Sequence, residues 1–124
     1  MYDELFMKEA LSLAKLASKQ NEVPVGSVVV FENEIIGKGY NQNIASSDPT
    51  AHAEIIALKQ AGKKTNNYRL VNSVLYTTLE PCLMCVGAII HARIEKVFFS
   101  ASDPKSGFLV GKEAILSSNL LNHK

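Results

Sequence analysis

The chain has two cysteines, and both fall in Pro81-Cys82-Leu83-Met84-Cys85. Upstream, His52-Ala53-Glu54 adds an imidazole and a carboxyl. A Cys-x-x-Cys pair with one histidine supplies three soft or borderline ligands. That set suits zinc with one coordination position left open, the catalytic rather than the structural arrangement. Pro81 fits the first turn of a helix, where its missing N–H costs nothing. Cys82 and Cys85 then share one helix face, so both sulfurs reach one ion. The helix N-terminus favours the thiolate form that metal binding needs. His52 and Glu54 are two apart and in mid-helix would diverge by roughly 200°. They share a site only if His52 lies at a helix start, and Asp48-Pro49-Thr50 is a start signal just before it. Glu54 is then no ligand but a proton carrier beside the water at the open position. Two other readings use the same residues, a redox Cys-x-x-Cys pair and a structural zinc cluster. The structural cluster wants four ligands, and His91 and His123 carry no matching spacing.

These residues need a scaffold, and 124 residues with 47% hydrophobic content suffice for one domain, residues 1–124, with an ordinary core. No run is long enough to span a membrane. Asp3 and Glu4 stand where a secretory signal would carry basic residues. With both cysteines given to the metal no disulfide is available, which fits a reducing cytoplasm. The net charge of +1 neither demands nor excludes a nucleic-acid partner.

Residues 3–20 have the spacing of an amphipathic helix, with Phe6, Ala10, Leu13 and Ala17 on one face. Ser27–Phe31 is β-branched and apolar, a buried strand. Asn33-Glu34 is the expected tight turn, and Ile35–Tyr40 the returning strand. Gly37 and Gly39 suggest a bulge or a close backbone approach. A polar loop over 41–50 leads to a helix from His52 to about Ala61, stopped by Gly62. Lys59, Lys63, Lys64 and Arg69 form a basic cluster, either a solvated helix end or an RNA contact. Val71–Thr78 is the third strand. The cysteine helix follows to about Ala92, with Gly87 and Ala88 allowing close approach to the sheet. Lys96–Ser100 is the fourth strand, and strand–helix–strand implies a parallel, right-handed crossover. Residues 101–111 read as a loop and Lys112–Asn119 as a short helix. The order gives an α/β sandwich with a mixed sheet, both ligand-bearing helices starting at one end.

H-x-E…P-C-x-x-C is the known signature of zinc nucleobase deaminases, so the step from motif to chemistry is taken from that superfamily. Further stretches narrow the likeness. They are Val23-Pro24-Val25-Gly26, Asp48 to Glu54, Asn67-Tyr68-Arg69-Leu70, Thr78 to Cys85, Gly87 to Ile94, and Asp103-Pro104-Lys105-Ser106-Gly107. Together they resemble the bacterial tRNA-specific adenosine deaminases, in register from about residue 5 to the end. The zinc motif alone specifies the superfamily; the Asn-Tyr-Arg-Leu and Asp-x-Lys-Ser-Gly stretches point to the tRNA branch and its nearest relatives.

The resemblance implies a homodimer of a cytidine-deaminase-like three-layer α/β/α sandwich with one zinc per chain. It implies conversion of adenosine to inosine at the wobble position of a tRNA anticodon. The family's asparagine at the end of the second strand contacts the flipped base or its ribose; here that is Asn41, which could equally be a turn residue closing the strand. The family's loop after the fourth strand touches anticodon nucleotides; here it carries Asp103 and Lys105, and Asp103 could equally be a turn former before Pro104. The family continues with a fifth strand and a basic C-terminal helix, whereas this chain stops at Lys124, so that strand and helix are expected to be missing. In the implied mechanism zinc on His52, Cys82 and Cys85 lowers the pKa of a water at its open position. Two thiolates offset the ion's charge, so Glu54 must take the proton. Alternatives are a deaminase of a free base or nucleoside of guanine or cytosine type, and a non-catalytic RNA-binding partner.

Overall fold

The apolar, β-branched run at Ser27–Phe31 becomes the strand on which everything else packs. β1 (Gly26–Phe31) is buried along all but its last residue. The computed structural model describes residues 2–107, so the helix expected over Lys112–Asn119 lies outside the described residues. β1 returns antiparallel as β2 (Glu34–Tyr40). The turn is centred on Glu32 and Asn33, with φ of 49° and 66°, one residue earlier than Asn33-Glu34. Two left-handed residues match the twist of the flanking strands, and Asn33 tolerates that conformation well.

On its other side β1 pairs antiparallel with β3 (Val74–Leu79), which pairs parallel with β4 (Lys96–Ala101). The sheet order is β2-β1-β3-β4 and the sheet is mixed, as expected. Alternation along β1 sends neighbouring valines to opposite faces. Val28 and Val30 meet Met7 and Ala10 of α1 (Glu4–Lys19) together with Tyr76. Val29 joins Leu75, Ala57, Leu58 and Ala61 of α2 (Ala53–Thr65), and Ile89 of α3 (Leu83–His91). One helix thus covers one face and two cover the other, giving three layers. Burying each such valine or leucine contributes about 1.5–3 kcal/mol, set against the entropy of ordering it. No helix among the described residues is long and apolar enough to cross a membrane.

Gly37 and Gly39 serve both suggested purposes. The β1–β2 register shifts at Val29/Val30. A Cβ on Gly39 would lie 2.4 Å from the Ala53 carbonyl oxygen, and one on Gly37 2.2 Å from that of Ala57. Helix α2 therefore rests directly on the β2 backbone, and Gly39 sets the height of its first turn. Gly87 has no such role: a Cβ there meets nothing within 4 Å. Helix α3 instead buries Cys85, Val86 and Ile89.

Three boundaries differ from the sequence reading by more than one residue. Helix α2 passes through Gly62 to Thr65, because Asn66 takes the left-handed cap at φ 54°. The N–H groups of Asn66 and Asn67 then bond back to the carbonyls of Lys63 and Gly62. β3 starts at Val74 rather than Val71, since Ser73 N–H bonds to the Leu70 carbonyl around Asn72 at φ 67°. Pro81 stands before the α3 cap rather than in its first turn, because Cys82 itself is the cap.

Candidate metal centre and its cavity

His52 and Cys82 are both N-cap residues in extended conformation, with φ/ψ of −78°/154° and −79°/175°. Each gives its carbonyl to the first helical bond, from Ile56 N–H at 3.0 Å and from Val86 N–H at 2.9 Å. Neither side chain caps its own helix. At α2 that work passes to Asn41, whose Oδ1 accepts from Ala53 N–H at 2.7 Å. The imidazole is left free to turn toward the cysteines. Because His52 is not yet helical, it and Glu54 share one site, as the spacing required.

His52 Nδ1 lies 3.6 Å from Cys82 Sγ and 3.5 Å from Cys85 Sγ. The three ligand atoms all fall within 4.8 Å of one another. Zinc–sulfur bonds of about 2.3 Å and zinc–nitrogen bonds of about 2.05 Å at a tetrahedral angle require an N···S separation of about 3.6 Å. Both N···S sides of the triangle therefore match zinc as they stand. With three protein ligands it leaves one tetrahedral position for another group.

The cysteine sulfurs titrate as a unit. The hydrogen bond from Cys85 pulls the Cys82 thiol down to about 5, against partial burial and helped by His52. The same bond, together with burial and the Glu54 carboxyl, pushes Cys85 up. A cation between the sulfurs is what a second thiolate needs. Glu54 is almost fully buried and within hydrogen-bond reach of Cys85. Burial pushes its carboxyl above the ordinary value, while its own backbone N–H and His52 oppose that shift. A carboxyl whose hold on a proton is strengthened in this way is suited to take one up and give it back.

A cavity of about 350 Å³ opens onto this group, with His52, Glu54 and Cys82 in its floor and Asn41, Asp103 and Ser106 in its walls. A larger groove of about 730 Å³ lies between α2 and α3. It holds none of the ligands, so the chemistry belongs to the smaller space. Asn41 closes the strand and caps α2, as the turn reading expects; it also lines the cavity, and since its oxygen is taken, its amino group is what remains there. Asp103 is a turn former, its carboxylate accepting from Lys105 N–H, Ser106 N–H and Ser106 Oγ–H, and it also lines the cavity. Lys105 is exposed and does not line it. The basic cluster is exposed too, with the Arg69 guanidinium 5.9 Å above the Tyr68 ring.

Two buried acids of the lining escaped the sequence reading. Glu22 accepts from Ile44 N–H at 3.1 Å and from Ala45 N–H at 2.8 Å. Glu80 accepts from Asp103 N–H at 3.0 Å. Each is almost wholly buried with partners 22 or 23 residues away, so no local signal marked it.

A family profile described as the cytidine and deoxycytidylate deaminase zinc-binding region matches residues 1–101. The chain belongs to that zinc-binding deaminase family. A Haemophilus influenzae relative named tRNA-specific adenosine deaminase is 50% identical, across 98% of this chain and 71% of its own length. A solved structure from studies of A-to-I editing by tRNA:A34 deaminases superposes at TM-score 0.93 with 37% identity, covering 98% of this chain and 88% of that one. A Bacillus subtilis guanine deaminase superposes at TM-score 0.79 with 38% identity, covering 94% and 71%. The expected deaminase fold and zinc requirement agree with these matches, and so does the resemblance to bacterial tRNA adenosine deaminases.

Proposed function

We propose that the chain is a hydrolase converting adenosine to inosine at the wobble position of a tRNA anticodon, with His52, Cys82 and Cys85 as zinc ligands and Glu54 as catalytic residue. One observation carries the reading: three ligand atoms at zinc spacing, with a buried carboxyl against them, in the floor of a cavity. The likeness to tRNA adenosine deaminases supports the substrate.

Zinc, when bound, polarises and activates water for attack. Glu54 takes a proton from that attacking water and passes it to the adjacent ring nitrogen as oxygen adds to C6. It then takes the proton of the new C6 hydroxyl and delivers it to the amine, the C6–N bond breaks, ammonia leaves, and a carbonyl remains. Asn41 offers its amino group to an acceptor on the base or ribose. Asp103 and Lys105 meet neighbouring anticodon nucleotides, with Asp103 at the cavity wall and Lys105 outside it.

A homodimer and a cytoplasmic setting belong to the same proposal. A second copy would cover the groove between α2 and α3, where Leu58, Leu70, Ala88 and Ala92 leave an apolar floor; sedimentation of the zinc-loaded protein tests this. Two free cysteines, both wanted by the metal, suit a reducing compartment.

The substrate is tested by following inosine in an anticodon stem-loop with adenosine at the wobble position, with free adenine, guanine, cytosine and cytidine alongside. Turnover of the stem-loop alone is expected. Turnover of guanine instead would move the protein toward its guanine deaminase neighbour.

A further inference from the structure

The turn that carries Asp103 and Ser106 is fastened from two sides. On its outer side the Asp103 carboxylate collects the N–H groups of Lys105 and Ser106 and the Ser106 hydroxyl, and Gly107 N–H closes the turn on the Asp103 carbonyl at 2.8 Å. On its inner side stands Glu80, 4% exposed. Its Oε1 accepts from Asp103 N–H. The Gly107 backbone lies so close to this carboxyl that a Cβ there would sit 2.4 Å from Glu80 Cδ and 2.5 Å from Oε1. Gly107 also forms an antiparallel bridge to Cys82. Glu80 is itself held in the sheet, its N–H bonded to the Ala101 carbonyl at 2.8 Å.

A buried carboxyl, a glycine that leaves room for it, and a metal-ligand residue thus meet at one point. We propose that Glu80 is a positioning residue: clasped by Asp103 N–H and seated against Gly107, it fixes the Asp103–Gly107 turn against Cys82 and so sets the distance between the cavity's substrate wall and its ligand set. This rests on the function proposed above, because the turn is taken as the wall that substrate touches. Glu80 itself donates nothing to the reaction. The strictness of Gly107 follows from the same contact, since any side chain there displaces either the carboxyl or the turn.

The test uses the full zinc-loaded chain and the variants Glu80→Gln, Glu80→Ala and Gly107→Ala. Four quantities are measured: zinc content, kcat and KM on the wobble-adenosine stem-loop, and hydrogen exchange at Asp103 and Gly107 N–H. Glutamine keeps an acceptor oxygen at the same reach, so Glu80→Gln should stay within about threefold of wild type in KM and in exchange. Leaving the Asp103 N–H without its buried acceptor corresponds to about a tenfold to hundredfold change. Glu80→Ala should therefore raise KM and speed exchange at both amides by about that factor, with zinc retained and kcat lowered less. Gly107→Ala must displace the carboxyl or the turn and breaks their contact either way, so it should reproduce the Glu80→Ala phenotype. Unchanged exchange and KM in Glu80→Ala overturn the proposal. Loss of zinc or kcat, equal in Glu80→Gln and Glu80→Ala, also overturns it by tying Glu80 to the metal or the proton. If wild type ignores the stem-loop, the substrate reading fails, while the exchange comparison still decides whether Glu80 holds the turn.

Discussion

Helix α2 owes the position of its first turn to a missing side chain, which makes Gly39→Ala a sharp perturbation. The added Cβ would stand 2.4 Å from Ala53 O and 2.7 Å from Ala57 N, where ordinary contact begins at 3.4 Å. Both atoms are helix backbone and cannot rotate aside, so the first turn must lift by about 1 Å. His52 and Glu54 flank Ala53 and move with it. Metal–ligand distances tolerate only about 0.2 Å, and a 1 Å displacement of reacting groups can cost about a hundredfold in rate. Overpacking of this kind also costs about 1–3 kcal/mol, or roughly 4–12 °C in Tm for a domain of this size. Gly37→Ala is the control. Its Cβ would meet Ala57 O at 2.2 Å and Ala61 N at 2.9 Å, one turn further along α2. It should cost as much stability but reduce turnover less than about tenfold, because the strain falls beyond the site. The assay is the initial rate of inosine formation at saturating zinc, with Tm and zinc content measured on the same samples. A Gly39→Ala enzyme with wild-type rate and Tm would refute the close seating of α2. Equal rate losses in both variants would show that activity follows stability rather than placement.

Cys82→Ser should hold less than about half a zinc per chain by elemental analysis, because a serine hydroxyl is a poor zinc ligand at this spacing; full occupancy would remove Cys82 from the ligand set. Asn41→Asp keeps the acceptor for Ala53 N–H but replaces the amino group with an anion in a cavity that already holds Glu54. Tm should stay within about 2 °C while KM rises about tenfold, and an unchanged KM would exclude a donor role. Hydrogen bonds from the Ser106 hydroxyl, then from the Ser106 and Lys105 N–H groups, hold the Asp103 carboxyl below its ordinary value. A depressed folded-state pKa stabilises the turn fully above the unfolded value, near about 3.9, and that stability is lost as pH falls through the folded value. Protection of the Lys105 and Ser106 amides should therefore persist down to about pH 4 and collapse below it, and a step between pH 5 and 7 would contradict this.

The parts of this molecule that announce themselves in sequence are those decided by local chemistry. The valine run of β1, the 3.6-residue spacing in α1 and the His-x-Glu and Pro-Cys-x-x-Cys spacings all point to what the structure contains. The less legible features depend on partners distant in sequence. Nothing local to Gly62 says that the helix will continue to Thr65; Asn66 accepts the left-handed cap in its place. Asn72 likewise bends a segment that reads as the start of a strand. Glu22 and Glu80 are invisible as anchors because their hydrogen bonds reach 22 or 23 residues along the chain. Asn41 reads locally as a strand-closing residue, but its cap bond to Ala53 N–H, twelve residues on, and its place in the cavity lining appear only in the fold.

The most direct test of the account is inosine formation in the wobble-adenosine stem-loop by zinc-loaded wild type beside Glu54→Gln, with zinc measured in both. The substitution keeps the shape of a nearly buried side chain outside the ligand set and removes only its capacity to carry a proton. General acid–base catalysis of this kind is worth about a hundredfold to ten-thousandfold. The account predicts one zinc per chain in both proteins and a rate reduced by about that factor in the variant. A glutamine variant that holds zinc and turns over at a near-normal rate would contradict it.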